Sequence, residues 1–266
     1  MPRASRLDGL RLAVGTFTIV RVRPPAEVTA RSAGQAMLWA PGVGALLGLA
    51  AAAVLELVRF ASKHSGGGTL LAAAAAVTTL AVLTRALHLD GLTDTADGLG
   101  SGKPAAEALD VMRRSDIGPF GVVTLVLTLL VQVLAIDTSV ARGTGGLCVV
   151  VAVVTGRLAA AWGCARGIPA ARPDGLGAAG AGSVRRGWLT LLTAVVLAAT
   201  VLLSLVDDDH RLALTVRSVA AVLLGLAAAV LLLRRCVHRF GGVTGDVLGA
   251  LVEASTTVVL LGFALG

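Results

Sequence analysis

Four stretches of this chain run for twenty residues or more without a charged side chain: 32–55, 64–84, 117–136 and 187–206. As α-helices rising 1.5 Å per residue, each reaches across the roughly 30 Å hydrocarbon layer of a bilayer. Three further apolar runs carry one charge each: 145–165 with Arg157, 212–233 with Arg217, and 247–264 with Glu253. None alternates apolar and polar side chains as a strand of a membrane barrel does. Composition agrees, with 56% hydrophobic and only 15% charged residues, against about 25% charged in soluble domains. That excludes an ordinary soluble enzyme and the disordered and fibrous classes. The pattern predicts an all-α integral membrane protein, a bundle of about seven transmembrane helices in a single membrane domain, residues 1–266. An interfacial N-terminal segment over 1–31 is expected, and spans near 34–55, 66–86, 117–136, 145–165, 187–206, 212–233 and 247–264.

Charge then orients the bundle. The chain has 23 Lys and Arg against 16 Asp and Glu, a net charge of +7. In a soluble protein this balance points to nucleic acid; here cytoplasmic loops account for it, and no nucleic-acid partner is expected. With the N-terminus inside, sixteen basic residues fall on the cytoplasmic side and five outside. The asymmetry predicts a cytoplasmic N-terminus and a C-terminus outside, in a multi-pass protein of the cell membrane. Residues 10–20 are too short and too interrupted, by Arg11, for a cleaved signal, and read as an amphipathic segment lying on the membrane. Cys148, Cys164 and Cys236 are far apart and no C-x-x-C is present, so neither a disulfide framework nor a zinc site is expected. Gly42, Gly44 and Gly48 are read as helix-packing positions. The Asp207-Asp208-Asp209 run is read as a solvated outer loop.

The remaining acids gather on the predicted cytoplasmic side. Asp90, Asp94 and Asp97 stand at i, i+4 and i+7, which on a helix places them within about 60° of one face. Three such carboxylates repel one another unless a cation lies between them. Oxygen-only donors favour a hard ion such as Mg²⁺, which completes its shell with substrate phosphate oxygens. Gly91 and Gly98 allow close approach of backbone or ligand. Residues 98–103 imitate a phosphate loop, but Asp97 stands where a Walker motif needs Gly and Pro104 where it needs Ser or Thr. Residues 104–114 are instead read as a short helix that opens on Pro104. Arg113 and Arg114 follow at the entry of the third span, suited to clamp phosphate. Arg157 lies inside the fourth span and Glu253 inside the seventh, each expensive without a partner or a function. Asp246 precedes Glu253 by seven residues, on the same helical face.

These residues carry a resemblance. HLDGLTDTADGLG (88–100), VMRRSDIGPFGVV (111–123), ARPDGLG (171–177) and GGVTGDVLGALVE (241–253) resemble, in order and spacing, the cobalamin synthase family, the adenosylcobinamide-GDP ribazoletransferases. The resemblance runs from about residue 8 to the C-terminus. Two departures stand out: Arg114-Ser115-Asp116 where relatives carry an acid and then a base, and Thr256 where a second acid often follows the Glu253 position. The resemblance implies a Mg²⁺-dependent membrane transferase that joins adenosylcobinamide-GDP to α-ribazole, or its 5′-phosphate, and releases GMP. It implies attack by the ribazole 3′-hydroxyl on the phosphorus nearer the cobinamide. On this reading Asp90, Asp94 and Asp97 hold Mg²⁺. Catalytic roles fall to Asp90, His88 and Asp94, with His88 or an uncommitted Asp taking the hydroxyl proton. Arg113, Arg157, Arg172, Asp246 and Glu253 bind substrate.

Two other classes compete. A CDP-alcohol phosphotransferase also sets spaced Asp residues at a helix end, but its pattern needs Ala-Arg shortly after Asp-Gly and then a long gap before two further Asp. An ion-coupled transporter would use Arg157 and Glu253, yet such sites lie near the midplane, whereas these motifs gather on one face.

Overall fold

Lipid offers no partner for a backbone N–H or C=O, so an apolar segment in a bilayer must bond within itself, as a helix does. A computed structural model describes residues 7–62, 68–114, 116–205 and 211–265, and every named element in it is helical. These are α1 (Asp8–Phe17), α2 (Ala30–Ala61), α3 (Gly68–Leu83), α4 (Leu87–Gly100), α5 (Ala105–Val111), α6 (Pro119–Ala141), α7 (Gly145–Gly163), α8 (Gly175–Gly180), α9 (Arg186–Ser204), α10 (Arg211–Phe240) and α11 (Gly245–Leu265). Among the described residues, α2, α6, α7, α9, α10 and α11 are each long and apolar enough to cross a membrane, and α3 with α4 forms a broken seventh candidate. The acid run at 207–209, Lys63, Ser115 and the basic residues Arg3 and Arg6 lie outside the described residues.

The second span departs from its expected course. Instead of a helix through residue 86, α3 stops at Leu83 and the chain bends by 88° into α4. Arg85 and Ala86 make the bend with φ of 56° and 54°, left-handed values that cost an L-residue about 1–2 kcal/mol each. Neighbours hold it: the Ala86 N–H donates to Ala81 O at 2.7 Å, and the Ile19 N–H, on the extended chain after α1, donates to Leu83 O at 2.7 Å. The Arg85 guanidinium donates to Gly15 O at 3.2 Å. The helix α4 therefore leaves the line of α3 at nearly a right angle and packs against α11 and α6.

Small residues set the central contacts, as lipid-embedded packing requires. A Cβ on Gly44 would come within 3.1 Å of Val153 O, and one on Gly48 within 3.0 Å of Val150 Cα, both on α7. The packing expectation fails for Gly42, which is exposed and would meet only Trp39 of its own helix, at 4.0 Å. Pro104 caps α5 rather than joining it, one residue outside the expected start.

Candidate functional site at one end of the bundle

The loops after α4, α5, α7 and α10 meet at one end. Ala171 N–H donates to Val243 O and Val243 N–H to Pro169 O, both at 2.9 Å, tying the loop before α8 to the turn before α11. Arg172 reaches Asp246 Oδ2 at 3.6 Å and donates to Leu109 O at 2.6 Å. Arg113 pairs with Asp174 at 3.2 Å, and Arg239 donates to the carbonyl of Lys103. Every tie joins residues more than sixty positions apart in the chain.

The acid-bearing helix is pressed onto this knot. A Cβ on Gly91 would lie 2.6 Å from Asp246 O and 2.9 Å from Asp246 Cα, so only glycine lets α4 touch the first turn of α11. Gly249 repeats the contact from the other side, 3.2 Å from His88 Cα. Asp90 and Asp94 are thus electrostatic neighbours of Asp246. Burial pushes the Asp94 carboxyl up to about 7; repulsion from Asp90, Asp246 and Asp97 adds to it, and Arg172 opposes it. The Thr244 hydroxyl donates to Asp246 Oδ2 at 3.1 Å.

Beside these carboxylates opens a cleft of about 120 Å³. Asp90, Asp246 and His88 contribute its polar wall; Phe17 of α1, Met37 of α2 and Leu248 of α11 are among its apolar residues. The His88 ring stacks on Phe17, centroids 5.8 Å apart and planes 4° from parallel. It is 3% exposed, and neither ring nitrogen has a hydrogen-bond partner. Burial, aided by the Arg157 charge, lowers its pKa well below the usual histidine value, so the ring is neutral.

Of the expected Asp trio, Asp97 turns its carboxylate to backbone N–H groups. Asp97 is 7% exposed; its Oδ2 accepts the Gly118 N–H at 2.7 Å and its Oδ1 the Gly121 N–H at 2.9 Å. Both oxygens serve the first turn of α6. Among the described residues no three His, Cys, Asp or Glu side chains are arranged to hold one metal ion. Asp246, 149 residues beyond Asp97 in the sequence, is a further acid whose charge acts on Asp94, alongside Asp90 and Asp97.

Arg157 and Glu253 stand apart from the cleft. They line a cavity of about 20 Å³ between α3, α4, α6, α7 and α11, with Gln132 and Thr256. Gln132, which the sequence did not single out, donates to Glu253 Oε2 at 2.8 Å and to Thr257 Oγ1 at 3.0 Å. Arg157 is 3% exposed with an unpartnered Nε. Its charge faces Glu253 without a direct ion pair, which answers the question of Glu253's partner inside the bundle. Thr256 packs against α7 and donates to Ala152 O at 3.4 Å. Arg114 and Asp116 are exposed.

Comparison with known proteins gives the geometry a context. The family model of cobalamin-5-phosphate synthase matches residues 9–264. Among curated relatives, the adenosylcobinamide-GDP ribazoletransferase of Frankia casuarinae is 41% identical over 260 residues, 96% of this chain and 94% of the relative. The protein of that name from a Nocardioides species is 40% identical over 259 residues, 97% and 98% of the two chains. That of Pseudomonas entomophila is 36% identical over 262 residues, 96% and 97%. No solved structure matches the chain.

Proposed function

The chain belongs to the cobalamin-5-phosphate synthase family, and we propose that it joins adenosylcobinamide-GDP to α-ribazole or α-ribazole 5′-phosphate, with release of GMP, at the cytoplasmic face of the cell membrane. One observation carries the reading: Asp90 and Asp246 line one cleft, with Asp94 their electrostatic neighbour and the Arg172 guanidinium 3.6 Å from Asp246.

The donor set fits Mg²⁺. A carboxyl driven to about 7 by burial and neighbouring acids is relieved by a cation. Mg²⁺ is commonly bound through one or two carboxylates plus substrate phosphates, so the lack of a three-residue cage is no obstacle. Asp90 and Asp94 would hold it, with Asp246 adjoining. When bound, Mg²⁺ supplies charge neutralisation on the diphosphate and on the departing phosphate oxygen.

The chain's own residues do the rest. Arg172 is anchored by Leu109 O and Asp246, and Arg113 lies on the adjoining loop beside Asp174. Both guanidiniums bind diphosphate oxygens. His88 lines the cleft with both ring nitrogens unpartnered, which makes it the candidate to accept the proton of the ribazole hydroxyl. A new P–O bond then forms to the ribazole oxygen. The diphosphate linkage breaks, and GMP departs with the bridging oxygen. The apolar walls from α1 and α2 shelter the reacting groups from water. Arg157 and Glu253, enclosed in their own cavity, serve the bundle rather than the substrate.

Asp90→Ala is the direct test. Variant and parent protein, reconstituted in vesicles, are supplied with adenosylcobinamide-GDP and ribazole, and GMP is measured. Loss of GMP with insertion intact supports the reading; undiminished turnover removes Asp90 from it. Turnover of CDP-alcohols in place of cobinamide-GDP would move the chain to the competing class. A reporter at the C-terminus that reads outside, with the loop at 101–104 protected inside, tests the orientation.

A further inference from the structure

Asp97 has the sequence pattern of its neighbours Asp90 and Asp94, and the structure separates it from them. The N-terminus of a helix leaves its first N–H groups without partners in the helix. Many helices solve this with a capping box, in which the N-cap side chain accepts from N3 and the N3 side chain accepts from the N-cap. In α6 the N-cap is Gly118 and N3 is Gly121, so neither position has a side chain to give. Asp97, from a different helix, supplies both bonds: Oδ2 to the Gly118 N–H at 2.7 Å and Oδ1 to the Gly121 N–H at 2.9 Å. The carboxylate also meets the positive end of the α6 dipole.

The glycines are part of the device. A Cβ on Gly118 would lie 2.4 Å from Asp97 Oδ1, and one on Gly121 would lie 2.4 Å from Oδ2 and 3.1 Å from Thr93 Cβ. Any side chain at either place displaces the carboxylate. The chain between Asp97 and Gly118 is therefore a strap closed at its root, and it carries α5 and Arg113. Its course lies against α4 and the start of α6: Gly98 would clash with Met112, and Gly100 with the Phe120 ring, if either bore a Cβ.

We infer that Asp97 is a positioning residue which caps α6 from α4, and so fixes Asp94 on one side and the Arg113 strap on the other in a single frame. Its carboxylate is committed to backbone N–H groups rather than to a cation. The kinetic part of this inference rests on the function proposed above; the capping part does not.

The experiment uses the full chain in reconstituted vesicles with two variants. Asp97→Asn keeps the shape of the side chain but loses one acceptor. Gly121→Ala leaves Asp90, Asp94 and Asp246 unsubstituted and disturbs the clamp from its other end. Hydrogen exchange of peptides covering 117–124 reads the cap directly, without catalysis. Turnover against Mg²⁺ concentration reads the consequence. Both variants are expected to speed exchange of those amides at least tenfold and to lower kcat at least tenfold. The Mg²⁺ concentration giving half-maximal rate should stay within twofold. The inference is overturned if Asp97→Asn raises that concentration tenfold with exchange unchanged, for then Asp97 is a cation ligand. Full activity of Gly121→Ala overturns it equally. If the parent protein releases no GMP, the functional reading fails, and the exchange data still decide whether Asp97 caps α6.

Discussion

Two pairs of helices behave in opposite ways. In α7 and α11, 72% of the apolar stretch is buried within the protein; in α6 and α9 the share is 22%. The exposed pair is the more hydropathic, the reverse of a water-soluble fold. Lipid is as apolar as leucine, so strongly apolar faces gain nothing by turning inward, and close packing and polar pairing decide what sits at the centre. The central pair accordingly carries Arg157, Glu253 and Asp246, while α6 and α9 present residues such as Leu127, Leu130, Leu191 and Val195 outward. The proposed site lies where a central helix, α11, emerges and meets α4.

Glu253→Ala should produce the largest effect on stability. It takes away the charge that the buried Arg157 guanidinium faces and the acceptor of the Gln132 amide, and leaving a buried charge uncompensated costs about 3–5 kcal/mol. Equilibrium unfolding in mixed micelles would register it; an unchanged midpoint would mean that Arg157 finds another partner. Next comes Gly156→Val on α7, whose Cβ would lie 2.4 Å from Thr256 Oγ1 and 2.9 Å from Val252 O. Overpacking of this kind costs about 1–3 kcal/mol. Gly187→Val on α9, with nothing within 4 Å, should leave the midpoint alone, and equal losses at the two positions would erase the distinction between the pairs.

The pH response sharpens the comparison at the site. Asp94 holds its proton up to about 7, and a cation binds its deprotonated form. At subsaturating Mg²⁺ the rate should therefore fall about tenfold per pH unit below that value, a slope set by one proton. More Mg²⁺ should move the limb to lower pH, and a limb indifferent to Mg²⁺ would detach Asp94 from the ion. Because the folded pKa is raised, the Asp94 contribution to the stability of metal-free protein is fully present below the ordinary carboxylate range and is lost as pH rises towards 7. The smallest effect belongs to Leu191→Ala on the lipid face of α9, 53% exposed: less than about 0.5 kcal/mol in the same unfolding assay.

Much of this was legible in advance. Charge-free runs located the apolar helices because spanning length is a local property of sequence. The spacing of the acids in 88–100 suited a helical face, but whether the segment is one helix or a broken turn was decided only by the fold, in which α4 is helical throughout. What was not legible shares one cause. Asp90, Asp94 and Asp97 have the right periodicity for one ligand set, but periodicity is blind to an N-terminus 21 residues away that claims both oxygens of Asp97. Gln132 is an unremarkable amide in an apolar run until α6 packs on α11 and sets it against Glu253 across 121 residues.

By itself, then, the sequence determined the class of solvent this protein lives in, the near-complete set of its apolar helices and its family, because hydropathy and motif spacing are written residue by residue. Only the tertiary structure decided where α3 breaks, that Asp246 comes beside Asp90 and Asp94 while Asp97 bonds the start of α6, and that Arg157 and Glu253 face each other inside the bundle. Those outcomes depend on which helices touch, and in lipid that depends on small residues letting backbones meet, as at Gly91 against Asp246.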